Sequence, residues 1–279
     1  MTQRTWFITG ISSGFGRALA TELLERGDRV AGTVRQQEAV AELASAYPER
    51  LWVALLDVTA PHDIRTVVDR AFVELGRIDV VINNAGYGLF GAAEELTDEQ
   101  VQHQISTNLL GSIHVVRAAL PHLRAQGGGR IVQMSTYGGQ ATVAGASLYN
   151  ASKWGIEGFM EATAKDVAPF GIEVTIVEPG GADTGFRSSG ARVATPLAAY
   201  NASPASATRG LTTADRPSPG DPVKIASAII ASADRTPAPL RLTLGSDSYQ
   251  IIHGALSDRL AALDEQRDLA FTTDVSPVQ

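Results

Sequence analysis

The sequence predicts an α/β protein: a single doubly wound parallel sheet of about seven strands with helices on both faces. Short β-rich runs alternate with longer segments of helical period as far as about residue 245, and most of those runs are continuously apolar rather than alternating. Strand, helix and strand in repetition imply right-handed βαβ crossovers, and a strand that is apolar on both faces needs helices on both sides of its sheet. A glycine-rich turn joining the first strand to the first helix is the third indication.

The elements follow in order. The first strand, Thr5 to Thr9, leads into a helix near 14–26 whose Ala18, Leu19 and Leu23 keep helical spacing. Further strands are expected at Arg29 to Val34, Leu51 to Leu56, Asp79 to Asn83, Arg130 to Ser135, Glu173 to Glu178 and Leu240 to Leu244. Helices are expected near 37–46, 61–75, 98–124, 149–168 and 222–233, with Thr97 to Gln100 as a capping box and Glu94-Glu95 as a solvated loop. Two segments depart from the pattern. Residues 186–220 are rich in Ala, Ser, Thr, Pro and Gly, with Phe186, Leu197, Tyr200 and Leu211 as isolated anchors, and are expected to form a lid on a single domain spanning 1–279. A tail helix near 247–270 carries Ile252, Leu256, Leu260 and Leu263 on one side and is expected to pack on its own domain.

Composition narrows the chemistry. With 279 residues, 44% of them apolar, the chain can bury a large core without staples, and with no Cys it has no thiol nucleophile, disulfide or cysteine-ligated metal. Five scattered His offer no metal-ligand spacing, and each reads as a surface or packing residue. An excess of 30 acidic over 23 basic residues gives no footprint for nucleic acid. The N-terminus lacks the regions of a signal peptide and no run is long enough to span a membrane, so a cytoplasmic location is expected.

Three local patterns carry chemistry. Gly10, Gly14 and Gly16, around Ser12, Ser13 and Phe15, let backbone N–H groups and a helix N-terminus approach a pyrophosphate. Arg17 stands where a P-loop would need its lysine, so a dinucleotide suits the turn better than a nucleoside triphosphate. The fourth strand ends in Asn83-Asn84-Ala85-Gly86, at the carboxyl edge where open α/β sheets bind ligands. Tyr149 and Lys153, four residues apart, share one helix face, and only three of the 23 basic residues are Lys. One charge at about 5 Å in an effective dielectric near 20 is worth roughly 3 kcal/mol, so the lysine is expected to lower the phenol by about two pKa units.

With T-G-x-x-x-G-x-G at 9–16, Asp57-Val58, N-N-A-G at 83–86, Asn108 in T-N-L-L-G, Y-x-A-S-K at 149–153 and P-G-x-x-x-T at 179–184, the sequence resembles the short-chain dehydrogenase/reductase family over about residues 5–245. The resemblance implies a Rossmann fold and hydride transfer between a nicotinamide and a carbonyl or secondary alcohol. It makes Tyr149 the general acid/base, gives Lys153 the tuning of Tyr149 and the ribose, and gives Asn108 a water on the proton path. The family's substrate-orienting Ser falls at Thr136, with Ser135 as the substitute. It further implies that Asp57 and Val58 meet the adenine, that Asn84, Ala85 and Gly86 meet the ribose and pyrophosphate, and that Pro179, Gly180, Ala182 and Thr184 meet the carboxamide.

Cofactor choice is read at the end of the second strand, where Thr33-Val34-Arg35 offers a cation and no carboxylate. This predicts NADP(H) over NAD(H), with a solvated Arg35 as the alternative. Tyr87, Leu89, Phe90, Tyr137, Val143, Phe186, Leu197 and Tyr200 are the candidate substrate wall, which suits an uncharged lipophilic alcohol or ketone; Arg187 and Arg192 in the lid are read as solvated, with the binding of an acid as the alternative that would contradict this reading. A homodimer or homotetramer is expected from the resemblance. A cofactor-binding sensor without turnover and a methyltransferase are the competing classes; Tyr149 and Lys153 argue against both.

Overall fold

The computed structural model describes residues 3–212 and 218–275. In chain order the first half comprises β1 (Thr5–Thr9), α1 (Gly14–Glu25), β2 (Arg29–Val34), α2 (Ala41–Ala46), β3 (Leu51–Leu55), α3 (Pro61–Leu75), β4 (Val80–Asn83), β5 (Gly88–Phe90), α4 (Asp98–Ile105) and α5 (Gly111–Ala125). There follow β6 (Gly129–Met134), α6 (Ser147–Val167), β7 (Ile172–Pro179), β8 (Ala191–Val193), α7 (Pro222–Ser232), β9 (Arg241–Leu244), α8 (Ser246–Asp264) and α9 (Arg267–Thr272). Seven strands form one parallel sheet in the order β3-β2-β1-β4-β6-β7-β9. Every expected strand is present, its ends within one residue of expectation.

Period two along β1 shows why both faces need cover: Trp6 and Ile8 join one core and Phe7 the other. The first core lies under α1 and α7 and includes Leu19, Leu23, Ile225 and Ile229; the second lies under α3, α5 and α6 and includes Ile64, Val116, Ile156 and Met160. Strand order reverses beside β1, which pairs with β2 on one side and β4 on the other. The two chain directions diverge there and leave a crevice above the carboxyl ends of β1 and β4.

Several expectations need correction. The helix expected at 98–124 is interrupted by a π turn at Ser106–Leu110, and the one at 37–46 begins as a 3-10 turn at Gln37–Val40. The capping box at Thr97 and Gln100 is present. The lid is more ordered than its composition suggests: β8 pairs in parallel with β5, and 3-10 turns follow at Ala198–Tyr200 and Pro204–Gly210. Strands of three residues are too short to show a period, so neither was foreseen. Residues 213–217 of the expected lid lie outside the described residues.

The tail differs most from expectation. Ile252 is buried, but Leu256, Leu260 and Leu263 are 48%, 59% and 64% exposed, so this face does not pack on its own domain. Beyond its first turns α8 is held by Arg259, which stacks on Trp154 and donates to the Gln140 carbonyl at 2.7 Å.

Candidate active site

At the end of β1 the backbone turns away from the sheet through Gly10 (φ +75°) and Gly14 (φ +58°), both in the left-handed region. A Cβ on Gly16 would lie 2.1 Å from the Gly10 carbonyl oxygen, so α1 could not start so close to β1 with any other residue. Across the crevice, Asn84 Nδ2 donates to the carbonyls of Thr9 and Gly10 at 3.0 and 2.9 Å, while Thr9 Oγ1 accepts from the N–H groups of Asn84 and Ala85. Ser13 precedes α1 without capping it by its side chain, so the first N–H groups of the helix stay available to a ligand.

A cleft of about 730 Å³ runs from this turn to α6 and the lid. Its floor is lined by Gly10, Ser12, Ser13, Gly14 and Phe15 from the turn and by Asn84, Ala85 and Gly86 after β4. One end is lined by Arg35, Asp57 and Val58, and a smaller depression of about 400 Å³ continues past Arg35 and Asp57. The Thr59 N–H and hydroxyl, 2.8 and 2.7 Å away, hold the Asp57 carboxylate below its usual range. The other end is lined by Pro179, Gly180, Ala182 and Thr184 after β7, by Ser135, Thr136 and Tyr137 after β6, and by Tyr149, Lys153 and Phe186. Gly16 and Asn108 do not line it. Gly16 lies behind the turn it makes possible, and Asn108 is buried in the π turn.

Tyr149 and Lys153 share the inner face of α6, with Lys153 Nζ 5.8 Å from the centre of the Tyr149 ring. The ring lies between Phe90 and Phe186, at centroid distances of 5.5 and 6.4 Å. Lys153 Nζ donates to the Met134 carbonyl at 2.9 Å. Burial pushes the Lys153 ammonium down to about 8, against the pull of Glu157. Burial likewise pushes the Tyr149 phenol up, with Tyr137 adding to the shift. The expectation of a phenol lowered by its lysine is therefore corrected for this state of the site. Desolvation of the phenol outweighs a lysine whose own charge is weakened by burial.

Thr136 lines the cleft, and its Oγ1 donates to the Pro179 carbonyl at 3.2 Å. The neighbouring Ser135 hydroxyl donates instead to Glu157 Oε1 at 2.5 Å. Glu157 belongs to a buried set beneath the turn after β6: Gln140 Nε2 donates to Glu157 and Glu178, and Arg241 pairs with Glu157, Glu161 and Glu178. Asn108 takes both backbone groups of Tyr87, accepting its N–H at 3.0 Å and donating to its carbonyl at 2.7 Å, and also donates to Ser152 Oγ.

A model of the short chain dehydrogenase family matches residues 4–192. An oxidoreductase of Botryotinia fuckeliana is 36% identical over 272 residues, covering 97% of this chain and 99% of that protein. The chain belongs to the short-chain dehydrogenase family. A 3-ketodihydrosphingosine reductase of Bacteroides thetaiotaomicron is 40% identical over 179 residues, 64% of each chain. The solved short-chain dehydrogenase from Streptomyces avermitilis superposes with a TM-score of 0.91 at 40% identity, over 98% of this chain and 99% of that one. ElxO, solved with NADP bound, has the same fold at a TM-score of 0.74 and 24% identity, over 89% of this chain and 100% of its own. Among the described residues no helix is long and apolar enough to cross a membrane, and no group of His, Asp or Glu could hold a metal ion.

This short-chain dehydrogenase has site features that its motifs do not announce. Glu157, four residues beyond Lys153 on the same buried face of α6, lies between Ile156 and Met160, and its spacing from Lys153 is the only trace it leaves in the sequence. Glu95, expected in solvent, is 7% exposed. It accepts from the N–H groups of Ala92 and Leu197 and pairs with Arg209, which also donates to the Leu197 carbonyl; the Leu197 N–H in particular holds Glu95 below the usual carboxylate range. This carboxylate ties the lid to the segment after β5. Of the expected substrate wall, Tyr87, Phe90, Tyr137, Val143 and Phe186 line the cleft, whereas Leu89, Leu197 and Tyr200 do not: Leu89 is buried, Leu197 is 39% exposed and Tyr200 donates to Glu94. His103 reaches the cleft and lies 2.9 Å from the Tyr87 hydroxyl, and the lid arginines Arg187 and Arg192 line the cleft instead of turning away from it.

Proposed function

We propose that this short-chain dehydrogenase transfers a hydride between NADP(H) and the carbonyl or secondary alcohol carbon of an uncharged, lipophilic small molecule, with Tyr149 as general acid/base. The observation that carries the reading is the convergence of Tyr149, Lys153 and Thr136 on one end of a cleft whose floor is the glycine turn and whose other end holds Arg35. The fit of the dinucleotide rests on the turn itself. Positive φ at Gly10 and Gly14, with an uncapped α1 N-terminus, makes a cradle for a pyrophosphate, and the cleft volume lies in the upper part of the roughly 300–1,000 Å³ typical of cofactor sites. ElxO, with NADP bound, shares this fold.

The nicotinamide would supply or accept the hydride. Ser12, Ser13 and the first N–H groups of α1 would hold the pyrophosphate, and Arg35 the 2′-phosphate, in a charge-assisted contact worth about 1.5–3 kcal/mol. Asp57 and Val58 would border the adenine, Asn84 to Gly86 the ribose, and Pro179, Gly180, Ala182 and Thr184 the carboxamide. In the reducing direction the Tyr149 O–H would give its proton to the substrate oxygen. Thr136 Oγ1 turns from the Pro179 carbonyl to hydrogen-bond that oxygen, and Lys153, charged below about 8, stabilises the phenolate left on Tyr149. A phenol kept protonated by burial is suited to this role as an acid. Asn108 acts through Tyr87 and Ser152.

The test is a fluorescence titration with NADPH and NADH, followed by a panel of ketones and alcohols. NADPH is expected to bind roughly 10- to 150-fold more tightly than NADH, and Arg35→Ala to erase the difference. Comparable affinities in the native chain would overturn the cofactor choice, and tight NADPH binding without turnover of any carbonyl or alcohol would overturn the reaction. The reading includes a homodimer or homotetramer, which a sedimentation run checks.

A further inference from the structure

Strand β7 runs out into a turn whose Pro179, Gly180 and Gly181 line the cleft, and three backbone groups of this turn are held from behind by the C-terminal part of the chain. The Gly180 N–H donates to the carbonyl of Leu244, the last residue of β9, at 2.8 Å. Two side chains from the first turn of α8 take the groups on either side. Ser248, fully buried, donates through Oγ to the Glu178 carbonyl at 2.8 Å, and Asp247 Oδ2 accepts from the Gly181 N–H at 2.8 Å.

Two glycines clear the space for the Asp247 carboxylate. A Cβ on Gly245 would lie 2.7 Å from Oδ1, and a Cβ on Gly180 would overlap the carboxylate, which supplies all three of the atoms nearest to it. Oδ1 is buried and takes no hydrogen bond among the described residues, so the carboxylate is held by the Gly181 N–H and by the positive end of α8. The same side chain acts on a second residue of the cleft: burial first, and the Asp247 charge after it, push the Tyr137 phenol up. Asp247 does not itself line the cleft, so whatever it does for a ligand it does through the residues it touches. Further along α8, Arg259 donates to the Gln140 carbonyl in the turn after β6. One helix outside the cleft therefore backs both turns that line it beside Tyr149.

Resting on the proposed place of the carboxamide, we infer that Asp247 is a positioning residue for the nicotinamide half of the cofactor, fixing the Pro179–Gly181 turn from behind. Successive glycines have more backbone freedom than any other pair, and ordering them only when the ligand binds would subtract from its affinity. The contact with Asp247 orders them at folding instead. Affinity for the nicotinamide end then depends on α8, whereas the adenosine end, at Arg35 and Asp57 across the cleft, does not.

The experiment measures binding rather than turnover. The native chain and its variants are titrated calorimetrically with NADPH and with adenosine 2′,5′-bisphosphate, which carries the adenine and the 2′-phosphate but no nicotinamide. Asp247→Ala is expected to weaken NADPH roughly 5- to 50-fold and the bisphosphate by less than about twofold. Asp247→Asn keeps the shape and an acceptor for the Gly181 N–H, and should recover most of the loss. Gly180→Ala reaches the same contact from the other side: it should reproduce the selective loss, and in the double variant the loss should fall short of the product of the two separate ones. Equal losses for the two ligands in Asp247→Ala overturn the inference, as does undiminished NADPH affinity. It also falls if Asp247→Asn loses as much as Asp247→Ala, or if the losses of the double variant multiply. Should Asp247→Ala not fold, the Asp247→Asn and Gly180→Ala titrations decide by the same ratio of losses. A selective loss in a chain that turns over no carbonyl or alcohol leaves the positioning role standing and removes the hydride transfer, whereas equal losses in a chain that does turn them over do the reverse.

Discussion

The floor of the cleft and its roof are held by different means. The floor consists of strand ends: Asn84 and Thr9 lace β4 to β1, Lys153 reaches the Met134 carbonyl, and the residues behind them, such as Ile8, Leu19 and Val132, are fully buried. The roof is an excursion between β7 and α7 held by the short β5–β8 pair and by one buried carboxylate, Glu95, on Arg209 and Leu197. Groups that must stay within a fraction of an ångström of each other sit on the sheet, where close packing fixes them. Phe186, Arg187 and Arg192 line the cleft from the roof, where a few polar contacts hold the segment that carries them.

Substitutions in the two regions should therefore fail differently, and the largest effect belongs to the floor. Tyr149→Phe removes the transferable proton and is expected to lower kcat by about 10²–10⁴-fold while leaving NADPH affinity intact; a fluorescence titration alongside steady-state rates checks this. Next is the lysine. Its ammonium prevails below about 8 and is lost above, so the rate of carbonyl reduction should fall as pH rises through about 8, and Lys153→Met should show a low rate with no such limb. Thr136→Ala is expected to cost about one to two orders of magnitude in turnover. Ser135→Ala should instead lower stability by about 1–3 kcal/mol, because it removes the hydroxyl donated to buried Glu157, and denaturant midpoints beside turnover separate the two. If Ser135→Ala is the crippled variant, the assignment of Thr136 is wrong.

For the roof the expected changes are smaller and of another kind. Glu95→Gln should raise KM several-fold with little change in kcat, and hydrogen exchange at the Leu197 amide should speed up; a loss of kcat at constant KM would mean that this segment belongs to the rigid part. Weaker still is Leu260→Ser on α8. At 59% exposure its replacement should move stability by no more than about 0.5 kcal/mol, and a larger loss would show that this helix face is covered in solution.

The same division explains what could be read in advance. Continuous apolar runs marked the seven strands, and Gly10, Gly14 and Gly16 marked the turn, because a backbone that must adopt positive φ or approach within contact of another leaves a residue type as its trace. Tyr149 and Lys153 were legible as a pair because helical spacing alone puts them on one face. Glu95 and Glu157 were not, since a carboxylate in an acid-rich loop or on a helix face has the same local sequence whether it meets water or a guanidinium distant in the chain. Nor could spacing give the direction of the Tyr149 shift, which depends on how much water the folded site removes.

By itself, then, the amino-acid sequence determined the sheet, the glycine turn after β1 and the tyrosine–lysine pair, all of which arise from local periodicity and backbone sterics. Tertiary structure alone decided that the lid arginines face the cleft, that Ser135 turns away to Glu157 while Thr136 stays, and that the tail helix leaves Leu256, Leu260 and Leu263 uncovered. Those outcomes depend on contacts between residues far apart in the chain, whose energies exist only once the sheet has brought them together.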